Sequence, residues 1–280
     1  MDIKCKLSDT EDPLKQIQEC IIIIKNIDES RLKKGESLNL DFSESKWILP
    51  CSALLLSNKI MESCKTIDIK IIPPKDKKVH EYLTRIGFPL GCKIEGDTFL
   101  PITHFTNKDS VNEQVSRISG HIRDKIDKKF GSSVNYLLGE LSDNIEQHSQ
   151  FTHASIMTQY YNNKKYLDIG LFDNGITIPG LFEKKGLSFK DDCEALKKAI
   201  EGVSTKEEQG RGFGLRTSKS LVLEGLNGEM YIFSRKGTLI LDPKNKEKSY
   251  NLQENALKGT LIYMSFIAPK KDLNIYKHIE

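Results

Sequence analysis

The order of apolar and polar positions divides this 280-residue chain into two stretches of different character. From 38 to 88, short strand-like runs exchange with segments of helical periodicity. LNLDF (38–42), KWILP (46–50) and TIDIKII (66–72) read as strands, the last closed by Pro73-Pro74. CSALLLSNKIMESC (51–64) and VHEYLTRIGF (79–88) carry apolar residues at helical spacing. Ahead of them, DPLKQIQECIIIIK (12–25) opens on an Asp-Pro cap signal, and its isoleucine run fits a helix or a strand. Strands alternating with helices in this way describe a small α/β unit.

The stretch GFPLGCKIEGDTFLPITHFTNKD (87–109) has three glycines, two prolines and little periodicity, which predicts a domain boundary near residue 107. Beyond it the pattern predicts two helices, at 110–130 and 132–149. Strands at THASIMTQYY and KKYLDIGLFD follow, joined by a hairpin turn at Asn162-Asn163. A glycine-rich turn, a charged helical segment, a second glycine turn and a helix then lead to strands at GEMYIFSRKGTLIL and GTLIYMSFIAP. The expected division is an α/β module at 1–107, an α+β sandwich at 108–269 and a tail at 270–280.

Composition narrows the function classes. An apolar content of 38% supports a packed core, and 42 basic against 39 acidic residues leave a net charge of +3, too small for a polyanion-binding field, so nucleic acid is not an expected partner. The six cysteines form no CxxC pair and read as reduced, mostly buried thiols. The longest apolar run, CIIII at 20–24, falls far short of the roughly 20 residues of a membrane span, and MDIKCKLSDTEDP has no leader pattern. A cytoplasmic protein without a membrane partner is expected.

The candidate chemistry begins in GELSDNIEQHSQ (139–150). An advance of about 100° per residue puts Val134, Leu137, Leu138, Leu141 and Ile145 on one arc of a helix. Glu140 and Asn144 then lie one turn apart at the edge of that arc, while Asp143 points toward solvent and His148 falls within the arc. Glu140 can take a proton from a water, and Asn144 offers a neutral oxygen to a hard cation such as Mg²⁺. Alone, the pair is also the polar border of any amphipathic helix.

Two further stretches change that reading. LDIGLFDNGITIPG ends a strand in Asp173-Asn174-Gly175, where Asp173 can accept from a ligand amine and Gly175 allows close backbone approach. In EEQGRGFGLRTSKSLV, glycines 210, 212 and 214 alternate ahead of a helix, leaving backbone N–H groups free to face an anion. Either alone is an ordinary turn or loop.

In this order within about 80 residues, the three stretches resemble the GHKL ATPase superfamily, shared by type II topoisomerases, mismatch-repair ATPases, histidine kinases and anti-sigma serine kinases, over residues 110–268. The resemblance implies a Bergerat-type α/β sandwich with Glu140 as general base and Asn144 as Mg²⁺ ligand. It makes Asp173, with Gly175 after it, the adenine reader, and wraps the ATP phosphates in Gly210, Arg211, Gly212, Phe213, Gly214 and Leu215. It also places the Thr260 hydroxyl of Gly259-Thr260 near the adenine. Thr177 stands where the family's DxGxG motif has its second glycine, at the near hinge of an expected mobile lid over 181–209. Lys206 or Arg211 can approach a γ-phosphate or simply belong to a solvated charge run. The N-terminal module is similar to a STAS-like domain in its strand, loop and helix order over 38–60, with Ser52 near the position of that family's phosphorylated serine and equally a plain N-cap.

These expectations describe an Mg-dependent, ATP-binding GHKL-type ATPase acting as a regulatory switch coupled to its STAS-like module, through which it would meet a protein partner. A serine kinase of the anti-sigma type acting on a STAS-like partner is the alternative, and a switch that holds ATP without turnover is a third. A homodimer is compatible with all three. A histidine kinase is not expected, because His121 in SRISGHIRDKI lacks the His-Glu pair of the usual phosphoacceptor.

Overall fold

The computed structural model describes residues 1–92, 96–106, 108–145, 149–203, 214–244, 246–252, 255–269 and 273–279. The N-terminal part is a three-stranded parallel sheet in the order β1 (Asp2–Lys4), β2 (Ser37–Asp41), β3 (Asp68–Ile72). The crossovers are α1 (Pro13–Glu29) and α2 (Pro50–Ser63), and α3 (Lys77–Arg85) follows. The isoleucine run is helical. Asp12 accepts from the Leu14 N–H at 3.0 Å and Pro13 takes the first turn, where its missing donor costs nothing.

KWILP is not a strand, because Pro50 opens α2 instead. The entry to that helix is braced from α1. The Gln16 amide oxygen accepts from the Leu49 N–H at 2.9 Å, and its nitrogen donates to Ser8 O and Trp47 O. Ser52 is therefore not the cap, which is Leu49, and its side chain is fully buried.

The second sheet has seven antiparallel strands in the order β4-β5-β6-β10-β7-β8-β9. They are β4 (Phe99–Phe105), β5 (Ala154–Tyr161), β6 (Tyr166–Asp173), β7 (Glu229–Arg235), β8 (Gly237–Leu241), β9 (Glu247–Asn251) and β10 (Leu257–Ile267). The expected hairpin forms between β5 and β6, but its turn runs over 162–165 rather than Asn162-Asn163 alone, since Tyr161 pairs with Tyr166. GEMYIFSRKGTLIL is two strands rather than one, since Arg235 adopts φ +56° and reverses the chain so that Ser234 pairs with Gly237. β1, β4 and β9 were not expected. β4 lies in the stretch that looked aperiodic, and it pairs along β5 with a register shift between Leu100 and Thr103 that breaks the alternation.

Consecutive residues of the central strands feed two separate cores, one on each face of this sheet. On one face Met157, Phe172, Phe233, Leu261 and Tyr263 pack with the buried side chains of α1 and α2. On the other, Ile156, Leu171, Ile232, Ile262 and Met264 pack with α4 (Lys108–His121), α5 (Gly131–Asn144) and α7 (Asp192–Ile200). The period of two along each strand makes both faces apolar. α2, buried on nearly all sides, is the layer between the two sheets. Leu54, Leu55 and Leu56 are all interior, and each such side chain is worth about 1.5–3 kcal/mol of burial. The chain is thus of mixed α+β architecture, and among the described residues no helix is long and apolar enough to cross a membrane.

Candidate functional site

α5 positions the first part of the site. Its apolar arc, Val134, Leu137, Leu138 and Leu141, is buried against the sheet, which turns the line Tyr136, Glu140, Asn144 toward its border, half-exposed. Asp143 is exposed, as its angle on the helix predicts. His148 lies outside the described residues.

The second part is the end of β6. Asp173 is its last residue, buried, and in β-register with Thr260 of β10 on one side and Ala154 of β5 on the other. Burial pushes its carboxyl up to about 7, against hydrogen bonds from the Gly175 N–H at 2.9 Å and the Ser149 hydroxyl. The close approach that needs a glycine at 175 is to the chain itself, since a Cβ there would stand 2.0 Å from Ser149 O. The neighbouring Asn174 is structural. Its side-chain oxygen accepts from the N–H groups of Thr152 and His153 at 3.0 and 2.8 Å.

Thr177, the departure from the glycine pattern, has extended backbone that any residue adopts and caps α6 (Ile178–Lys184) by accepting from the Gly180 N–H at 3.1 Å. The Ile178 N–H in turn donates to Ser234 Oγ, which lies 2.9 Å from the Thr260 hydroxyl. The described part of the expected lid differs from a loose charged segment. α7 buries Ala195, Leu196 and Ile200, and Arg235 binds both oxygens of Asp192 and reaches Glu183 of α6 at 2.7 Å. Its apolar face is short and easily masked by the surrounding charges. Residues 204–209, Lys206 among them, lie outside the described residues, as do Gly210, Arg211, Gly212 and Phe213.

The third part begins at Gly214, the first residue of α8 (Gly214–Ser220). Here the separate stretches meet. A Cβ on Gly214 would stand 2.6 Å from Glu140 Oε2 and 3.4 Å from the Asn144 amide nitrogen. Tyr136 closes the same junction by donating to Thr217 Oγ1 at 2.9 Å, and Thr217 donates to Gly214 O.

Asn144, Asp173, Gly214, Leu215 and Thr260 line one open cleft, with apolar walls from Leu141, Ile145, Ile176, Leu181, Phe182 and Val203. Glu140 is not among its walls but stands beside Gly214 at one end. The cleft lies on the face of the sheet away from α1 and α2, since Leu171 and Ile262 belong to the opposite core. The Asn144 Nδ2 is buried without a hydrogen-bond partner among the described residues, so its amide has capacity left for something in the cleft. No group of three or more His, Cys, Asp or Glu gathers around a metal position among those residues. The unpaired Asn144 Nδ2 is a donor and so faces an acceptor on any ligand, whereas a cation such as Mg²⁺ would need the amide's oxygen.

Sequence reasoning missed Tyr136, Thr217, Ser149 and Ser234. Only Tyr136 carried a signal, four residues before Glu140 on the same helical edge; the others enter through tertiary packing. No protein-family model matches the chain, and no curated protein matches it.

Proposed function

We propose that the cleft binds ATP with Mg²⁺ and hydrolyses it in the manner of a GHKL ATPase. The observation that carries this reading is the junction at Gly214, where the α5 edge meets the end of the glycine loop on the same cleft as Asp173 and Thr260. Three stretches far apart in sequence bring an amide, a buried carboxylate and a hydroxyl to one cleft, with the Glu140 carboxylate beside Gly214 at its end.

In this reading Asp173 accepts from the adenine amine, with Thr260, set by Ser234, offering its hydroxyl beside it. Ile176, Leu181 and Phe182 keep water from the base. Asn144 would hold Mg²⁺, which neutralises phosphate charge when bound. Glu140 orients the attacking water and takes its proton. Gly214, by lacking a side chain, leaves the Glu140 carboxylate its position.

The kinase alternative gains nothing from Ser52. That serine is buried in α2, on the face of the sheet opposite the cleft, so it is no acceptor for a nucleotide held there. Incubating the protein with γ-labelled ATP and Mg²⁺ tests the proposal. Free phosphate should form, and Glu140→Ala should bind Mg-ATP nearly as well as wild type while releasing phosphate at least about 100-fold more slowly. Full turnover in Glu140→Ala would sink the assignment.

A further inference from the structure

Strand alternation makes Asp173 and Asn174 face opposite ways. Asp173 lines the cleft, whereas Asn174 lines a second cavity between the seven-stranded sheet and α1 and α2. Phe172, Leu257 and Lys258 line that seam from the sheet, and Ile24, Asp28, Leu55, Asn58 and Lys59 from the N-terminal helices. The strand ends that line the cleft are therefore also the strand ends on which the N-terminal unit sits.

Several side-chain connections cross this seam, among them a buried hydrogen bond from Asn58 Nδ2 of α2 to Ser155 Oγ of β5. Lys258 meets Asp28 at 3.2 Å, and Asp28 also binds Lys59 of α2. Lys258 is 79% exposed, so its pair carries little energy. A further buried connection runs through two histidines. From α2, the Ser57 hydroxyl donates to Pro89 O and lies 3.1 Å from His104 Nε2; His104 Nδ1 lies 3.0 Å from His153 Nε2. The His153 N–H is held by the Asn174 side chain.

The donors in this chain run one way. Ser57 has one proton and gives it to Pro89 O, so its oxygen accepts and His104 Nε2 carries the hydrogen. His104 Nδ1 must then accept from His153 Nε2–H. Both imidazoles are neutral in this arrangement, in keeping with the burial that lowers the affinity of each for a second proton. Rotating either ring, or shifting β4 against β5, leaves a buried donor or acceptor unpaired, so the chain holds one register or breaks.

We infer that the Ser57–His104–His153–Asn174 chain couples the seat of α2 to occupancy of the cleft. The inference rests on the nucleotide reading and gives it a regulatory route. A ligand that accepts or donates at Asp173 fixes the Asp173-Asn174 step, Asn174 fixes the 152–153 backbone, and the histidines carry that restraint into α2. By reciprocity, a partner that loosens α2 from the sheet changes nucleotide affinity by the same factor.

The test is hydrogen exchange on the full chain, with and without Mg-ADP, alongside ADP calorimetry. In wild type, ADP should slow exchange in the β6 end and in α2 together. His104→Phe, which keeps a ring but removes both nitrogens, should still bind ADP and still protect the β6 end, with the α2 response reduced at least threefold. Ser57→Ala, a smaller change, should act in the same direction and replaces it if His104→Phe misfolds. An ADP-bound wild type with no change in α2, or a full α2 response in a folded chain variant, overturns the coupling while leaving the nucleotide site standing. No ADP binding by wild type overturns both.

Discussion

Gly214 and Glu140, 74 positions apart in sequence, sit so close that one added methyl carbon at 214 would fall 2.6 Å from a Glu140 carboxylate oxygen. The contact is with the far end of a flexible side chain, so the substitution Gly214→Ala should displace the carboxylate rather than unfold the helix. The expected result is an unfolding midpoint within a few degrees of wild type and ADP affinity within a few-fold. Phosphate release should fall on the order of 10²-fold, the usual consequence of moving a catalytic group by about 1 Å. Turnover equal to wild type in a folded Gly214→Ala protein would remove Glu140 from the chemistry.

If the cleft holds the proposed nucleotide, Asp173 should make its affinity depend on pH. Its folded pKa is raised to about 7 by burial, so in the empty cleft it is largely protonated below that value. A ligand amine needs the ionised form as acceptor. Affinity should therefore rise as pH rises through 7, by up to about tenfold per unit below it, and level off above. Asp173→Asn should flatten the profile and weaken binding by roughly 1.5–3 kcal/mol, the worth of a hydrogen bond to a charged group. Calorimetry at pH 6, 7 and 8 reads both effects; a pH-independent wild type contradicts them.

Asp168 should show its effect in stability. It is buried on the seam face of β6, and burial raises its pKa to about 6 against hydrogen bonds from Tyr263, Ser265 and Tyr161. A carboxyl with a raised folded pKa holds its proton longer in the native state, so native stability falls as pH rises from about 4 to 6 and the penalty is complete above that. Two pKa units correspond to about 3 kcal/mol. Asp168→Asn, which cannot ionise, should melt several degrees above wild type at pH 7 and close to it at pH 4. Equal melting temperatures at pH 7 would show that the carboxylate is fully compensated where it sits.

Arg235 fastens the helices beside the cleft. Removing its guanidinium in Arg235→Ala leaves buried Asp192 with the Lys236 N–H and without its bidentate partner. The cost should be about 1–3 kcal/mol in urea unfolding, with faster exchange in α7 before global unfolding. A change below about 0.5 kcal/mol would mean that apolar burial of Leu196 and Ile200 alone holds α7.

Local chemistry settled a good part of this protein in advance. The spacing of Glu140 and Asn144 follows from the helical period alone, as do the buried arc of α5 and the exposure of Asp143. The β5–β6 hairpin follows from two apolar runs around Asn162-Asn163. The meeting of Asp173 with Thr260 and of Gly214 with Glu140 could only be expected by resemblance, because strand order across β6 and β10 is a long-range choice that no local period encodes. The places where sequence reasoning failed share a cause. KWILP is apolar because Ile48 and Leu49 are buried beside Gln16, not because it pairs. β4 lost its alternation to a register shift, and Ser52 fell on a helix that two sheets enclose. Period and propensity report one element's own geometry, whereas burial on both faces of α2 and of the central strands exists only once the N-terminal unit has docked on the sheet.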